Sequence, residues 1–373
     1  MRTKLLRAMR DGLYASHLLE IPAAVLRPFC HRISTLDAGE ARSRLEQFSP
    51  CPDGTAMAKH RVIEPARVNL QIVVNVYNLE KYIRECADSI LRQETAYSFR
   101  VIFVDDGSKD ASPEILDTYA ADPRVQVIHQ VNVGPASKNT GLELLDADYV
   151  LFVDGDDMLE QGSVQAMLEE AYRRDADIVQ IGLSRLEEGH IDRQKNVKAV
   201  REAPPYGELT GFACGKVIRS RLFETVQFPP GFWHADTIIS FLIHPMAAGR
   251  YRIPAYGYVY RCTSGRLSKK APSSPKCADT FYITERMMEE HAVRGLPCDR
   301  AYYDELLRQV LLNARRMRKT PSDIREAVFI LTGELFERYF ERADVRPTIH
   351  KGLRKALLAR DYGSYRLYCR THF

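Results

Sequence analysis

The stretch Asp148-Tyr-Val-Leu-Phe-Val-Asp-Gly-Asp-Asp157 decides the fold of this chain. From Tyr149 to Val153 it is apolar, β-branched and aromatic, the make-up of a buried strand. Asp154, Asp156 and Asp157 follow at once. Three anions so close repel each other, and solvent or a cation must neutralise them. Carboxylates suit hard cations such as Mg²⁺ or Mn²⁺. A second acidic pair, Asp105-Asp106, closes another apolar run, Arg100-Val-Ile-Phe-Val104.

Outward from these runs, strands and helices alternate. Gln71–Val76 reads as a strand and Glu80–Gln93 as a helix, with Ile83, Ala87, Ile90 and Leu91 on one face. Val101–Val104 is a strand. Pro113–Ala121 is a helix with Ser112 as its N-cap and Pro113 in the first helical position. Val125–Ile128, Tyr149–Val153 and Asp177–Ile181 are strands, separated by helices over Pro135–Leu145 and Gln161–Arg173. This order predicts an α/β fold with a mainly parallel, Rossmann-like sheet covered on both faces. Ligands of such sheets bind beyond the carboxyl ends of the strands. Those ends carry Tyr77-Asn78, Asp105-Asp106 and Asp154–Asp157, so the chemistry converges on one edge. A metal-bound diphosphate with a sugar nucleotide attached matches that edge.

Three segments are expected: an N-terminal helical and linker segment over 1–66, the α/β domain over 67–270, and a helical region over 271–373. Pro50, Pro52, Gly54 and Pro65 mark the linker. In the last region Leu306, Leu307, Val310, Leu311, Ala314 and Met317 form an apolar stripe. Arg308, Arg315, Arg316, Arg318 and Lys319 decorate it as a solvated face. The chain has 373 residues, 45% of them apolar, enough for two domains with sizeable cores. Lys and Arg number 53 against 49 Asp and Glu, a net charge of +4, which does not indicate a nucleic-acid binder. The eight cysteines show no CxxC pair or Cys/His ligand spacing, and Cys86, Cys214 and Cys262 read as small core residues. A reducing cytosol is the simpler setting. No apolar run approaches the ~20 residues of a membrane span. Arg2, Lys4, Arg7 and Arg10 accompany Leu5, Leu6, Met9 and Leu13 at helical spacing. That pattern suits either a packed helix with a solvated face or a basic amphipathic helix in peripheral contact with an anionic membrane, at its cytoplasmic face.

Taken together, VNVYNLEKYIRECADSILRQ (Val74–Gln93), VIFVDDGSKDASPEIL (Val101–Leu116) and QVNVGPASKNTGLELLDADYVLFVDGDDML (Gln130–Leu159) resemble glycosyltransferase family 2, which has the GT-A fold. The resemblance covers roughly Gln71 to Ser268. It implies an inverting transferase that moves a sugar from a nucleotide sugar, a UDP-sugar above all, to a hydroxyl of a surface glycan or lipid-linked acceptor, with Mn²⁺ or Mg²⁺ as cofactor. It also implies roles. Tyr77 and Asn78 lie at the nucleobase, the Tyr77 ring holding it. Asp105 or Asp106, with Asp106 favoured, accepts from the uracil N–H. Asp154, Asp156 and Asp157 hold the metal, and Asp156 also lies at the nucleotide. The family's Arg-Asn is Lys138-Asn139 here, so a flexible ammonium replaces a planar guanidinium beside the nucleotide. The family's Pro before the Tyr-Asn pair is Asn75.

The later stretch CGKVIRSRLFETVQFPPGFWHADTIISFLI (Cys214–Ile243) resembles the acceptor-side segment. Lys216, Phe228-Pro229 and Gly231 match it. Of the usual acidic pair only Asp236 is present, beside Ala235, and the resemblance makes Asp236 the catalytic base. A sugar hydroxyl is a poor nucleophile until its proton is removed. His234 is an adjacent candidate, and Trp233, the only tryptophan, would stack on the acceptor sugar or pack in the core. Tyr258–Arg261 and Ser268 resemble the stretch that closes over the diphosphate, with Arg261 as a donor contact. Two rivals stand beside this reading. A nucleotidyltransferase calls for a Gly-rich basic loop after the first strand, where Tyr77–Lys81 has no glycine. A non-catalytic binding or assembly protein on the same fold calls for a degraded acidic motif, yet every acid of Asp154–Asp157 is present.

Overall fold

The computed structural model describes residues 30–52, 58–193, 199–263, 273–340 and 345–372. Met1–Arg10 and Ser268 lie outside them. The chain divides into two compact units. One holds the described residues of 52–270 with Tyr282–Pro297, and the other those of 1–51, 271–281 and 298–373. The described residues of 30–51 thus share a unit with most of the region 271–373, while those of 52–66 and Tyr282–Pro297 go with the sheet.

The first unit is built on one sheet. In chain order its strands are β1 (Val68–Val76), β2 (Phe99–Asp105), β3 (Val125–His129), β4 (Ala147–Asp154), β5 (Met158–Leu159), β6 (Ile178–Glu187), β7 (His190–Arg193), β8 (Arg201–Glu202), β9 (Lys216–Arg219) and β10 (Arg250–Arg261). β3, β2, β1 and β4 run parallel in that spatial order. The central strand β1 buries Leu70, Ile72, Val73, Val74 and Val76, as a strand covered on both faces must. The rest of the sheet is mixed. β9 enters antiparallel between β4 and β6, and β10 runs parallel to β6. Four residues rich in β-branched side chains carry no mark of strand direction, so the sequence could not announce this insertion.

Helix boundaries differ from expectation where side chains hold the backbone. The helix after β1 starts at Ile83 because the N–H groups of Leu79 and Glu80 donate to Ser112 Oγ at 2.8 Å and to Asp110 Oδ2 at 3.0 Å. Ser112 therefore caps nothing of its own: it lies within the helix Ser112–Asp117, whose N-cap is Ala111. The helix expected over Pro135–Leu145 is a 3₁₀ turn, Gly134–Ser137, followed by Lys138–Leu142.

The second unit is helical. Ala38–Phe48, capped by the Asp37 carboxylate, packs on Ser322–Phe340. Arg300–Arg316, Lys351–Leu358 and Tyr362–Thr371 complete it. Tyr303 stacks on Phe340 with ring centres 4.1 Å apart, and Phe329 meets Tyr362 and Tyr365. Of the expected stripe, Leu306, Leu307, Val310 and Met317 are buried, while Leu311 and Ala314 are half-buried. Among the described residues no helix is long and apolar enough to cross a membrane.

Candidate active site

Strand register gathers the expected residues at one edge. Asn75 lies opposite Asp154 of β4, and Val76 opposite Asp105 of β2. Just beyond, Asn78 takes a left-handed φ of 54°. Its N–H donates to Ser108 Oγ at 2.9 Å, and its Oδ1 accepts from the Lys109 N–H at 2.7 Å. Asn78 thus ties the ends of β1 and β2 together, and the adjacent Tyr77 ring stays at the edge, 49% exposed.

Asp105 and Asp106 are both buried and both engaged. Asp105 accepts from the Ser108 N–H at 3.0 Å and meets His129 Nδ1 at 3.0 Å. His129 Nε2 reaches Asp117 at 3.1 Å. Hydrogen bonding to Asp105, then to Asp117, raises the imidazole pKa above its ordinary value. A raised folded-state pKa means stabilisation that is complete below the unfolded value, about 6.5, and lost as pH climbs through the folded value. Replacing His129 with Gln should therefore lower the urea midpoint more at about pH 5.5 than at about pH 8.5. An equal loss at both would remove the charged pairing. Asp106 accepts from Gln130 Nε2 at 2.8 Å and from the N–H groups of Val133 and Gly134, each at 2.9 Å. It shapes the loop that leads to Lys138.

The acidic motif turns sharply after β4. The Gly155 N–H donates to the Asn75 carbonyl at 3.1 Å. A Cβ on Gly155 would lie 2.8 Å from that oxygen and 3.0 Å from Leu79 Cδ1, so the turn accepts no side chain. The three acids then separate. Asp154 keeps a side chain 40% exposed. Asp156 is largely buried, its carbonyl accepting Arg261 Nε at 2.9 Å. Asp157 is fully buried, and its two oxygens accept the Tyr258 O–H at 2.7 Å and the Arg261 N–H at 2.9 Å. The Tyr258 hydroxyl in turn accepts the Asp154 N–H at 3.2 Å. Arg261 also pairs with Glu85 at 2.5 Å. β10 thus straps the acidic loop, and register irregularities between Arg252 and Tyr258 aim it there. The sequence reading placed all three acids on a metal. The two oxygens of Asp157 are engaged by the Tyr258 O–H and the Arg261 N–H, and Asp154 and Asp156 stand beside it in the same turn. Mg²⁺ and Mn²⁺ at diphosphate sites take one or two carboxylates plus phosphate oxygens, so this donor set fits an ion that arrives with a nucleotide.

Lys138 joins the two halves of the site. Its Nζ lies 3.9 Å from Asp154 Oδ1 and 3.7 Å from Asp236 Oδ1, and 5.7 Å above the Phe228 ring. Burial opposes its charge, but Asp236 and then Asp154 outweigh that and hold its pKa above the ordinary lysine value. Asn139 is occupied elsewhere: its amide donates to the Phe228 carbonyl at 2.8 Å and accepts the Phe228 N–H at 2.9 Å. These two bonds tie Phe228 to the residue that follows Lys138. Within the Phe228–Asp236 loop Ala235 is buried, Trp233 and His234 are half-buried beside Asp236, and His234 takes a φ of 39°. Asp236 accepts a long 3.5 Å contact from the Ala213 N–H.

Two contributors went unassigned in the sequence reading. Tyr258 was read only within the Tyr258–Arg261 stretch that resembles the segment closing over the diphosphate, with no partner of its own, because its partner across the sheet depends on register. Lys216 was seen only as a motif match. Its fully buried ammonium donates to the carbonyls of Thr210, at 2.8 Å, and Phe212, fixing the loop before Ala213. Burial pulls its pKa down to about 8.

Residues 71–225 match the profile of Glycosyl transferase family 2. Glycosyltransferase GlyA of Streptococcus pneumoniae serotype 4 is 32% identical over 219 residues, 54% of this chain and 31% of GlyA. Uncharacterized glycosyltransferase EpsJ of Bacillus subtilis is 44% identical over 115 residues, 30% of this chain and 33% of EpsJ. Putative glycosyltransferase EpsH of the same organism is 34% identical over 183 residues, 43% of this chain and 50% of EpsH. The matched part of this chain thus spans 31% to 50% of the length of these relatives. The crystal structure of S. aureus TarS 1-349 in complex with UDP-GlcNAc superposes with a TM-score of 0.66 at 19% identity, over 82% of this chain and 91% of that one. That likeness is one of fold. With the motif edge, the strand order and these relatives agreeing, residues 71–225 are a glycosyltransferase family 2 domain, and the sheet unit has a GT-A-like α/β fold.

Proposed function

We propose that the sheet unit transfers a sugar from a UDP-sugar, with inversion, to a hydroxyl of a glycan or lipid-linked acceptor in surface-polysaccharide synthesis at the cytoplasmic face of the membrane. The observation that carries this reading is the Lys138 ammonium, 3.9 Å from Asp154 and 3.7 Å from Asp236. It puts the donor-side acid and the candidate base in one site. The solved TarS complexes with UDP-GlcNAc and UDP support a uridine donor.

The Tyr77 ring would lie on the nucleobase. The Asp106 carboxylate has about four acceptor positions, three taken by protein donors, and the fourth suits a uracil N–H. Asp154 and Asp156 would hold Mn²⁺ or Mg²⁺, which stabilises the charge on the departing diphosphate. Lys138 lies on the same side and adds a positive charge there. Asp236 takes the acceptor hydroxyl proton as that oxygen attacks the anomeric carbon opposite the leaving group. Trp233 and His234, flanking Asp236, border the acceptor.

A panel of UDP-, GDP- and CMP-sugars, each with Mn²⁺ and with EDTA, tests this. UDP release is expected with a UDP-sugar and Mn²⁺ only, and NMR of the product should show the opposite anomeric configuration. Full turnover in EDTA would remove the metal from the proposal, a retained configuration would remove inversion, and inertness toward every UDP-sugar would remove the donor.

A further inference from the structure

The helical unit contains a pocket of about 190 Å³ that the transferase reading leaves unused. It opens where the end of Arg300–Arg316, the start of Ser322–Phe340 and the helix Tyr362–Thr371 meet. Met317, Val328, Tyr365 and Cys369 line it and are each at most 6% exposed. Arg318, Arg325, Arg366 and Arg370 line it as well. A second depression of about 230 Å³ shares Tyr362, Arg366 and Arg370 as its wall and adds Arg32. Among the described residues no carboxylate lines either one.

Most arginines of this unit need no ligand to explain them. Arg32 pairs with Glu326 at 2.7 Å and Arg308 with Glu305 at 2.9 Å. Arg315 and Arg316 lie in the last turn of their helix, where the helix dipole favours cations. Of the pocket arginines, Arg370 likewise lies in the last turn of its helix; what sets the four apart is their ion pairing. Among the described residues none of the four has a carboxylate within ion-pair distance; Arg325 donates to the Arg318 carbonyl at 2.8 Å, and Arg366 lies 5.7 Å from the Tyr362 ring centre. Arg325 is the fourth residue of its helix and Arg366 the fifth of its own, near amino ends, where the dipole disfavours a cation. Guanidinium groups gathered without an anion repel one another. The charge is also regional: residues 298–373 hold 16 Lys and Arg against 10 Asp and Glu, more than the whole chain's excess of four.

Guanidinium forks and buried apolar side chains lining one pocket select one ligand chemistry. The forks match the oxygens of a phosphate, and the apolar side chains reward a hydrocarbon joined to it. We propose that this pocket binds a phosphate ester carried on an apolar chain, the phosphate on Arg366 and Arg370 and the chain on Met317, Val328 and Tyr365. The site lies wholly within the helical unit and is independent of the donor chemistry. The ester can come from a lipid in a bilayer or from a soluble alkyl phosphate, and the test separates these sources.

Calorimetry on the full chain with monomeric octyl phosphate, inorganic phosphate and octyl glucoside provides the test. Octyl phosphate should bind at least about tenfold more tightly than either of the others, the scale of one charge-assisted hydrogen bond or of a few buried methylenes. The double variant R366Q/R370Q should weaken octyl phosphate at least about tenfold with an unchanged melting temperature. Inorganic phosphate binding as well as the octyl ester, octyl glucoside binding as well, no octyl phosphate binding, or a folded variant with full affinity would each overturn the proposal. The ligand comparison on the unmodified chain decides the matter even if the variant fails to fold. Vesicles of phosphatidic acid in phosphatidylcholine then identify the source. Loss of co-sedimentation in the variant, whose Met1–Arg10 charges are unaltered, assigns a bilayer lipid. Equal co-sedimentation, with octyl phosphate still dependent on the two arginines, assigns a soluble ester.

Discussion

Asp236→Asn should lower kcat by roughly 10²-fold or more, the scale of a lost general base, while the UDP-sugar dissociation constant stays within a few-fold of wild type. The amide keeps the size of the side chain and most of its hydrogen bonds but cannot take a proton near neutral pH. Donor binding should survive because the proposed donor contacts, from Tyr77 to Asp156, stand on other elements. Lys138 would lose the carboxylate charge at 3.7 Å but keep Asp154 at 3.9 Å, so its ammonium stays compensated. His234→Ala should cost far less, since the proposed base is its neighbour in the loop, Asp236. Paired measurements of kcat and of donor affinity by calorimetry check both. A dead His234 variant beside a near-normal Asp236 variant would transfer the base to the histidine. Ala235, where the resembled family has the first acid of the pair, would then mark a rebuilt acceptor side.

Asp157→Asn should act first on stability, and in a way that EDTA does not change. Asp157 is fully buried between two donors, the Tyr258 O–H and the Arg261 N–H. An asparagine can accept from one of them, but its amide then faces the other. A lost hydrogen bond to a buried charged group costs about 1.5–3 kcal/mol, or roughly 4–10 °C of melting temperature for a unit of this size. Tyr258→Phe should lower the melting temperature similarly, because it removes the partner of Asp157 and of the Asp154 N–H. Asp156→Asn should show the reverse pattern: a smaller thermal loss, and disappearance of the Mn²⁺ effect on donor binding. Differential scanning calorimetry with and without EDTA separates the roles. An Asp157→Asn protein that melts like wild type but no longer responds to Mn²⁺ would make Asp157 a metal ligand after all.

What was legible in the sequence was local. The four parallel strands announced themselves because β1, β2 and β4 are buried on both faces and must be almost wholly apolar. The acids at their ends stood out because charge directly after such a run has few structural explanations. Gly155 could be read within the motif, and the structure supplies the reason for it: the Asn75 carbonyl lies 2.8 Å from where a Cβ would be.

The division of labour among those residues was not legible. Asp154, Asp156 and Asp157 are alike in composition and nearly adjacent, yet the fold buries Asp157 on Tyr258, 101 positions away, and leaves Asp154 at the edge. Asn139 follows Lys138 directly, but one closes on Phe228 and the other faces two acids. Such assignments depend on strand register, on the antiparallel insertion of β9 and on the irregular path of β10, none of which has a local signature. Sequence alone determined which elements form and that their carboxyl ends carry the chemistry, because hydrophobic period and turn residues act over a few positions. Only the tertiary structure decided which acid supports the motif and which faces the site, because burial and hydrogen-bond satisfaction are settled by partners far away along the chain.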